Sequence, residues 1–201
     1  MRLLRHLIAT TLALAAGSSQ ALEVVAGALA ADDDVALHTI EIDRAATWRF
    51  ESYGYAGGTL SDGTLVEEGG FDSWLSLYDE GGLLLADNDD GSTRSDPNTG
   101  ANFDSRIVIS LAAGTYTLAV TQYDNNPAGT TLAAVFARSG DGNFTAANCA
   151  AAAFCDITGA APFDMRTPGY VVAISVVPLP AAYLLLAPVL AGLLRRRAPA
   201  G

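Results

Sequence analysis

The sequence predicts an all-β protein: a two-sheet antiparallel β-sandwich, jelly-roll-like in layout, with a short apolar helix at each end of the chain. Three observations carry that expectation. Short runs alternate apolar with polar side chains and are rich in Val, Ile, Thr, Tyr and Trp, the pattern of half-buried strands. Clusters of Gly, Asp and Asn separate them, and these residues make turns. Long helical periodicity is absent from the middle of the chain. About nine or ten such strands fill two sheets whose inner faces bury the alternating aliphatics.

The 201 residues divide into one domain and two appendages. Met1–Ala21 has a basic start at Arg2 and Arg5, an apolar run Leu7–Ala16, and small residues before a cleavage point after Ala21. That is the layout of a secretory signal peptide read by signal peptidase, with an apolar run too short to span a membrane. Residues 22–176 form the predicted sandwich. Leu22–Ala31 is its first strand, and Asp32-Asp33-Asp34 a charged turn facing water. Val35–Ile42 and Thr47–Tyr53 are the next strands, the latter turning Trp48 and Phe50 inward, since aromatics at period two are core more often than a sugar platform. Gly54–Gly58 turns the chain, and Thr59–Gly70 is a polar connection.

The centre of the chain reads as two hairpins. Asp72–Asp79 and Leu83–Ala86 flank Glu80-Gly81-Gly82, and Arg106–Leu111 and Thr115–Tyr123 flank Ala112-Ala113-Gly114. Folded so, Asp72, Asp87, Asn88, Asp89, Asp90, Asp104 and Asp124 crowd one pole, with Arg94 and Arg106 to offset them. Clustered carboxylates raise one another's pKa unless a cation intervenes, and Ca²⁺, which takes six to eight oxygen ligands, is the cofactor such a set points to. A solvated acidic loop is the other reading. The loop is not an EF-hand, because Gly91 and Asn98 stand where that motif puts other residues. Thr130–Arg138 and Tyr170–Val177 complete the strands. Cys149 and Cys155, an even pair in an exported chain, are expected to form a disulfide closing a small loop.

Residues 177–201 begin Val177-Pro178-Leu179-Pro180-Ala181, continue as a short apolar segment to Leu194, and end in Arg195-Arg196-Arg197. Physically this is a short membrane helix with a proline-marked entrance and a cytoplasmic Arg tail. It resembles the VPLPA type of PEP-CTERM sorting signal. That resemblance implies recognition and cleavage by an exosortase, transient anchoring in the inner membrane, and delivery to the envelope, outer surface or extracellular matrix of a Gram-negative bacterium, often alongside exopolysaccharide. The stretch FDSWLSLYDEGGLLLADNDDG…DSRIVISLAAGTYTLAVTQY resembles the bacterial pre-peptidase C-terminal (PPC-like) β-sandwich family, some members of which bind calcium. The resemblance singles out Asp72, Asp89, Asp90 and Asp104.

Charge narrows the function. All 22 acids and only six Arg lie in residues 22–177, a formal −16, and the chain has no Lys. Such a surface repels nucleic acid and anionic membranes, leaving cations, neutral glycans and basic surfaces as partners. The domain holds one histidine, His38, and no Gly-x-Ser-x-Gly, His-Glu-x-x-His or phosphate-cradling loop. The expectation is therefore a non-enzymatic surface or matrix protein, a calcium-stabilised sandwich. A calcium-dependent carbohydrate-binding module using Trp48 or Trp74 is the alternative, and a glycan-active hydrolase with paired carboxylates stands behind it.

Overall fold

The computed structural model describes residues 22–149, 153–157 and 164–178. The expected signal peptide with its cut after Ala21, and the expected sorting tail from Leu179 through Pro180 and Ala181 to Arg195, Arg196 and Arg197, lie outside them. Ten strands are present among the described residues. Strands β1 (Glu23–Ala28), β10 (Gly169–Val176), β3 (Ala46–Ser52) and β8 (Arg106–Leu111) form one sheet in that order. Strands β2 (Ala36–Ile42), β9 (Gly114–Gln122), β6 (Ser73–Tyr78) and β7 (Leu84–Asn88) form the second. All pairings within the two sheets are antiparallel.

The period of two decides what is buried. Trp48, Phe50, Ile107, Leu111, Val172 and Ile174 face inward from the first sheet, and Ile40, Ile42, Leu75, Leu77, Leu118 and Val120 from the second, forming one core. Trp48 and Phe50 are thus core residues, and Trp48 is no glycan platform. The expected all-β, two-sheet architecture and most strand positions hold.

Three local expectations do not. Residues 106–122 are not a hairpin: β8 pairs with β3 and β9 pairs with β2 and β6, so Ala112 and Ala113 cross from one sheet to the other. Alternation is the same for a hairpin and for such an arch, because both send Ile107, Leu111 and Leu118 into one interior. Thr130–Arg138 is not a strand, having only isolated bridges such as Pro127 to Phe136. Its Phe136 packs on Tyr78 and Ala119, covering part of the outer face of the second sheet. Side-chain bonds add to two backbone bonds there, Ala128 N–H to the Val135 carbonyl and Ala137 N–H to the Asn126 carbonyl: Asn125 Oδ1 accepts the Arg138 N–H, and Asn125 Nδ2 donates to the Asp33 carbonyl. Within Thr59–Gly70, β4 (Gly58–Thr59) and β5 (Leu65–Val66) make a two-residue ladder.

The Asp32–Asp34 run also differs from a solvated turn. Asp32 is fully buried, its Oδ1 accepting the Phe154 N–H and its Oδ2 the Thr145 N–H and hydroxyl. Asp33 accepts from the Gly140 N–H, and Asp34 caps the N–H groups of Ala30 and Ala31. Buried carboxylates persist where donors converge on them. Asp32 and Asp33 tie Gly140, Thr145 and Phe154 to the chain after β1, while Asp34 closes its own turn. The expected Cys149–Cys155 disulfide is formed.

The topology gives the sandwich two distinct poles. The chain enters beside Ile174, opposite Glu23, and leaves after Val176, opposite Trp48, with the Val177 N–H donating to the Thr47 carbonyl at 2.8 Å. The 43–45 and 112–113 crossings share that pole. Ser52, Ser73, Asn88, Arg106 and Gln122 mark the other.

Candidate functional site

The pole away from Glu23 and Val177 carries an aromatic pair among carboxylates. Register explains the pair. Trp74 stands opposite Thr121 on the outer face of the second sheet, and Tyr123 lies two residues on, on the same face. Their rings are 6.3 Å apart between centroids and within 25° of parallel. The Trp74 indole N–H donates to Asp87 Oδ2 at 3.1 Å, which orients the ring from its edge. Both rings are half-buried.

The acids gather around Tyr123. Its phenol is pushed above the ordinary tyrosine value by burial, and then by the charges of Asp124, Asp89, Asp72 and Asp90. The Asp90 carboxyl is raised as well, first by burial and then by Asp89. The loop bearing these acids is braced from below. Ser105 donates its hydroxyl to the Asp89 carbonyl at 2.8 Å, and the Arg106 N–H donates to Asn88 Oδ1 at 3.0 Å. Gly91 permits that second bond, because a Cβ there would lie 2.8 Å from Asn88 Oδ1.

The seven residues expected as one ligand shell are divided among several partners. Asp104 is fully buried away from the aromatic pair, its Oδ1 taking the Ser52 hydroxyl and the Tyr55 N–H and its Oδ2 the Ala56 N–H. Asn88 is held by the Arg106 backbone, Asp87 by Trp74, and Asp124 by an ion pair with Arg138. Asp89 and Asp90 stay near Tyr123, and Asp72 is buried beside them. Among the described residues, no group of three or more acids, His or Cys is arranged to hold a metal.

Two buried clasps behind the pole escaped the sequence reading. Arg94 lies 3.5 Å over the Tyr53 ring and reaches Glu51 at 3.0 Å and Asp104 at 3.7 Å. Arg166 lies 3.7 Å over the Tyr55 ring and reaches Asp96 at 2.7 Å and Asp156 at 3.3 Å. Tyr53-Gly-Tyr55 is the signal that was available: two aromatics two residues apart at a strand end, in a domain with six Arg. The clasps fasten the 89–105 loop, Asp156 and Arg166 to the chain at the end of β3, so the acidic loop rests on a fixed base.

The His38 Nε2 lies 2.9 Å from the Tyr170 hydroxyl, and burial lowers the pKa of the ring. Beside Tyr170 an open groove of about 680 Å³ runs between β1 and the β4–β5 ladder, lined by Val24, Gly27, Leu65, Val66 and Glu68. In comparisons with known proteins, no family model and no curated protein matched the chain.

Proposed function

We propose that this chain is an exported, non-enzymatic protein of the cell surface or extracellular matrix, sorted by an exosortase, whose acidic–aromatic pole faces outward. The observation that carries the reading is the polarity of the sandwich. Both ends of the domain leave one pole, and Val177, the first residue of the VPLPA motif, is still bonded to Thr47. With no linker between core strand and sorting signal, a tail in the inner membrane holds that pole at the bilayer and points Trp74 and Tyr123 away. Replacing Pro178 and Pro180 together by Ala should leave the fold intact and strand the protein in the membrane fraction. Unchanged delivery to the surface would remove the sorting signal from the reading.

A second reading, a carbohydrate-binding module, is favoured by the Trp74–Tyr123 pair. Nearly parallel rings rimmed by acceptors suit the flat C–H faces and hydroxyls of a sugar. Exopolysaccharide is the partner this implies.

Calcium enters in a narrower form than the seven-residue shell. Asp89 and Asp90 repel one another, which is the strain a cation relieves, and solvent would supply most of the shell. Calcium in excess over chelator should then raise the Tm of the exported protein, because a ligand of the folded form stabilises it by mass action. The double variant Asp89→Asn/Asp90→Asn should lose the rise. A Tm indifferent to calcium takes the metal out of the proposal.

A further inference from the structure

We infer that the glycan taken by the Trp74–Tyr123 pole is one bearing free amines, a cationic amino-sugar polymer. The inference rests on the reading of this pole as glycan-facing and adds the charge class of the ligand. Trp74 and Tyr123 offer ring faces inclined by 25°, and Asp87 sits 3.1 Å from the indole nitrogen. Asp89, Asp90 and Asp124 add their charge around the Tyr123 hydroxyl, whereas Asp72 is 2% exposed and out of a ligand's reach, and Asp124 is paired with Arg138. Thr121, directly across from Trp74 on the same face, is 1% exposed, and its Oγ1 has no hydrogen-bond partner among the described residues. The face therefore holds polar capacity unused by the fold.

Charge complementarity chooses among glycans. A polymer of uronates or phosphates would be repelled by a domain with 22 acids and six Arg. A neutral glycan would stack on the rings but cover carboxylates without compensating their charge, and desolvating a charge is costly unless it is paired. An ammonium group answers both features. It is attracted to the face of Trp or Tyr and forms charge-assisted hydrogen bonds to carboxylates. The sugar ring between successive amines supplies the flat surface that a lysine side chain lacks.

The test titrates the full exported protein, in chelator, with the hexamer of glucosamine and with its fully N-acetylated counterpart, by calorimetry and tryptophan emission, at a pH where the amines are protonated. The free-amine hexamer should bind at least about tenfold more tightly, and added salt should weaken it. Trp74→Ala should abolish the emission change. Asp87→Asn, at an exposed position that the fold tolerates, should reduce affinity several-fold. Equal binding of both hexamers would overturn the amine and keep the glycan reading, whereas binding of neither would overturn both. Binding of oligolysine as tight as that of the amino-sugar, and unaffected by Trp74→Ala, would also overturn the inference, by reducing the site to charge alone.

Discussion

Asp104→Ala should destabilise the sandwich by about 3–5 kcal/mol, and equally in calcium and in chelator. The carboxylate is an internal tether. Its Oδ1 accepts from the Ser52 hydroxyl at 2.8 Å and the Tyr55 N–H at 3.2 Å, its Oδ2 from the Ala56 N–H at 3.0 Å, and Arg94 stands 3.7 Å away. Burial pushes its pKa up, and the Ala56 N–H, Ser52, Arg94 and the Tyr55 N–H pull against that rise. Alanine leaves the Ser52 hydroxyl and the Tyr55 and Ala56 N–H groups without their acceptor, and Arg94 with Glu51 as its remaining carboxylate partner. Asparagine should rescue little, because it offers one acceptor oxygen where backbone donors approach both. Thermal melts of the protein read the loss as a fall in Tm on the order of 10 °C. A loss seen only when calcium is present would return Asp104 to a metal shell.

That prediction marks where the sequence was legible. Strands such as β2, β3, β6, β9 and β10 were readable because their alternation has one cause, a buried face against a wet one, and the structure obeys it from Ile40 to Ile174. Partner choice was not readable. Leu111 and Leu118 face one interior whether their strands pair with each other or with β3 and β6, so nothing local separates a hairpin from an arch. The same ambiguity misplaced Asp104. In a hairpin it would overhang the acidic pole. In the arch its strand lies beside β3, and the carboxylate meets Ser52 instead.

Acids were the second blind spot, because a carboxylate on paper has no direction. Asp32, Asp96, Asp104 and Asp156 all count as surface charge in a composition, yet each is buried and taken by donors. The pole was legible as a place: Asp72, Asp89, Asp90 and Asp124 do meet around Tyr123. Tyr123 itself was missed. Period two across β6 and β9 would have found it, since Trp74 needs only its partner Thr121 identified to bring the next outward residue alongside.

Arg166→Met should cost about 3–5 kcal/mol at neutral pH, and the cost should shrink as pH falls. Met keeps most of the side chain's volume over Tyr55 but removes the counter-charge of Asp96, at 2.7 Å, and Asp156, at 3.3 Å. Burial alone would raise the Asp96 carboxyl, but the Arg166 bond and the N–H groups of Thr99 and Asn98 hold it below the ordinary value. A depressed folded pKa contributes stability that is present above the unfolded pKa and lost as pH falls through the folded one. Without Arg166 the sign reverses: burial dominates, the folded pKa rises, and protonation relieves a stranded charge. The wild type therefore loses stability on acidification while the variant gains, so the gap between them closes below the ordinary carboxylate range. Asp156, whose carboxyl burial already raises despite Tyr55 and Arg166, moves in the same direction. Denaturant melts of both proteins from pH 7 down to about pH 3 would follow the closure. Adding Asp96→Asn to Arg166→Met should recover part of the loss at neutral pH, since the two residues share one interaction. A gap constant with pH would mean that Arg166 acts through its stacking on Tyr55, and that the carboxylates beneath the acidic pole are held without it.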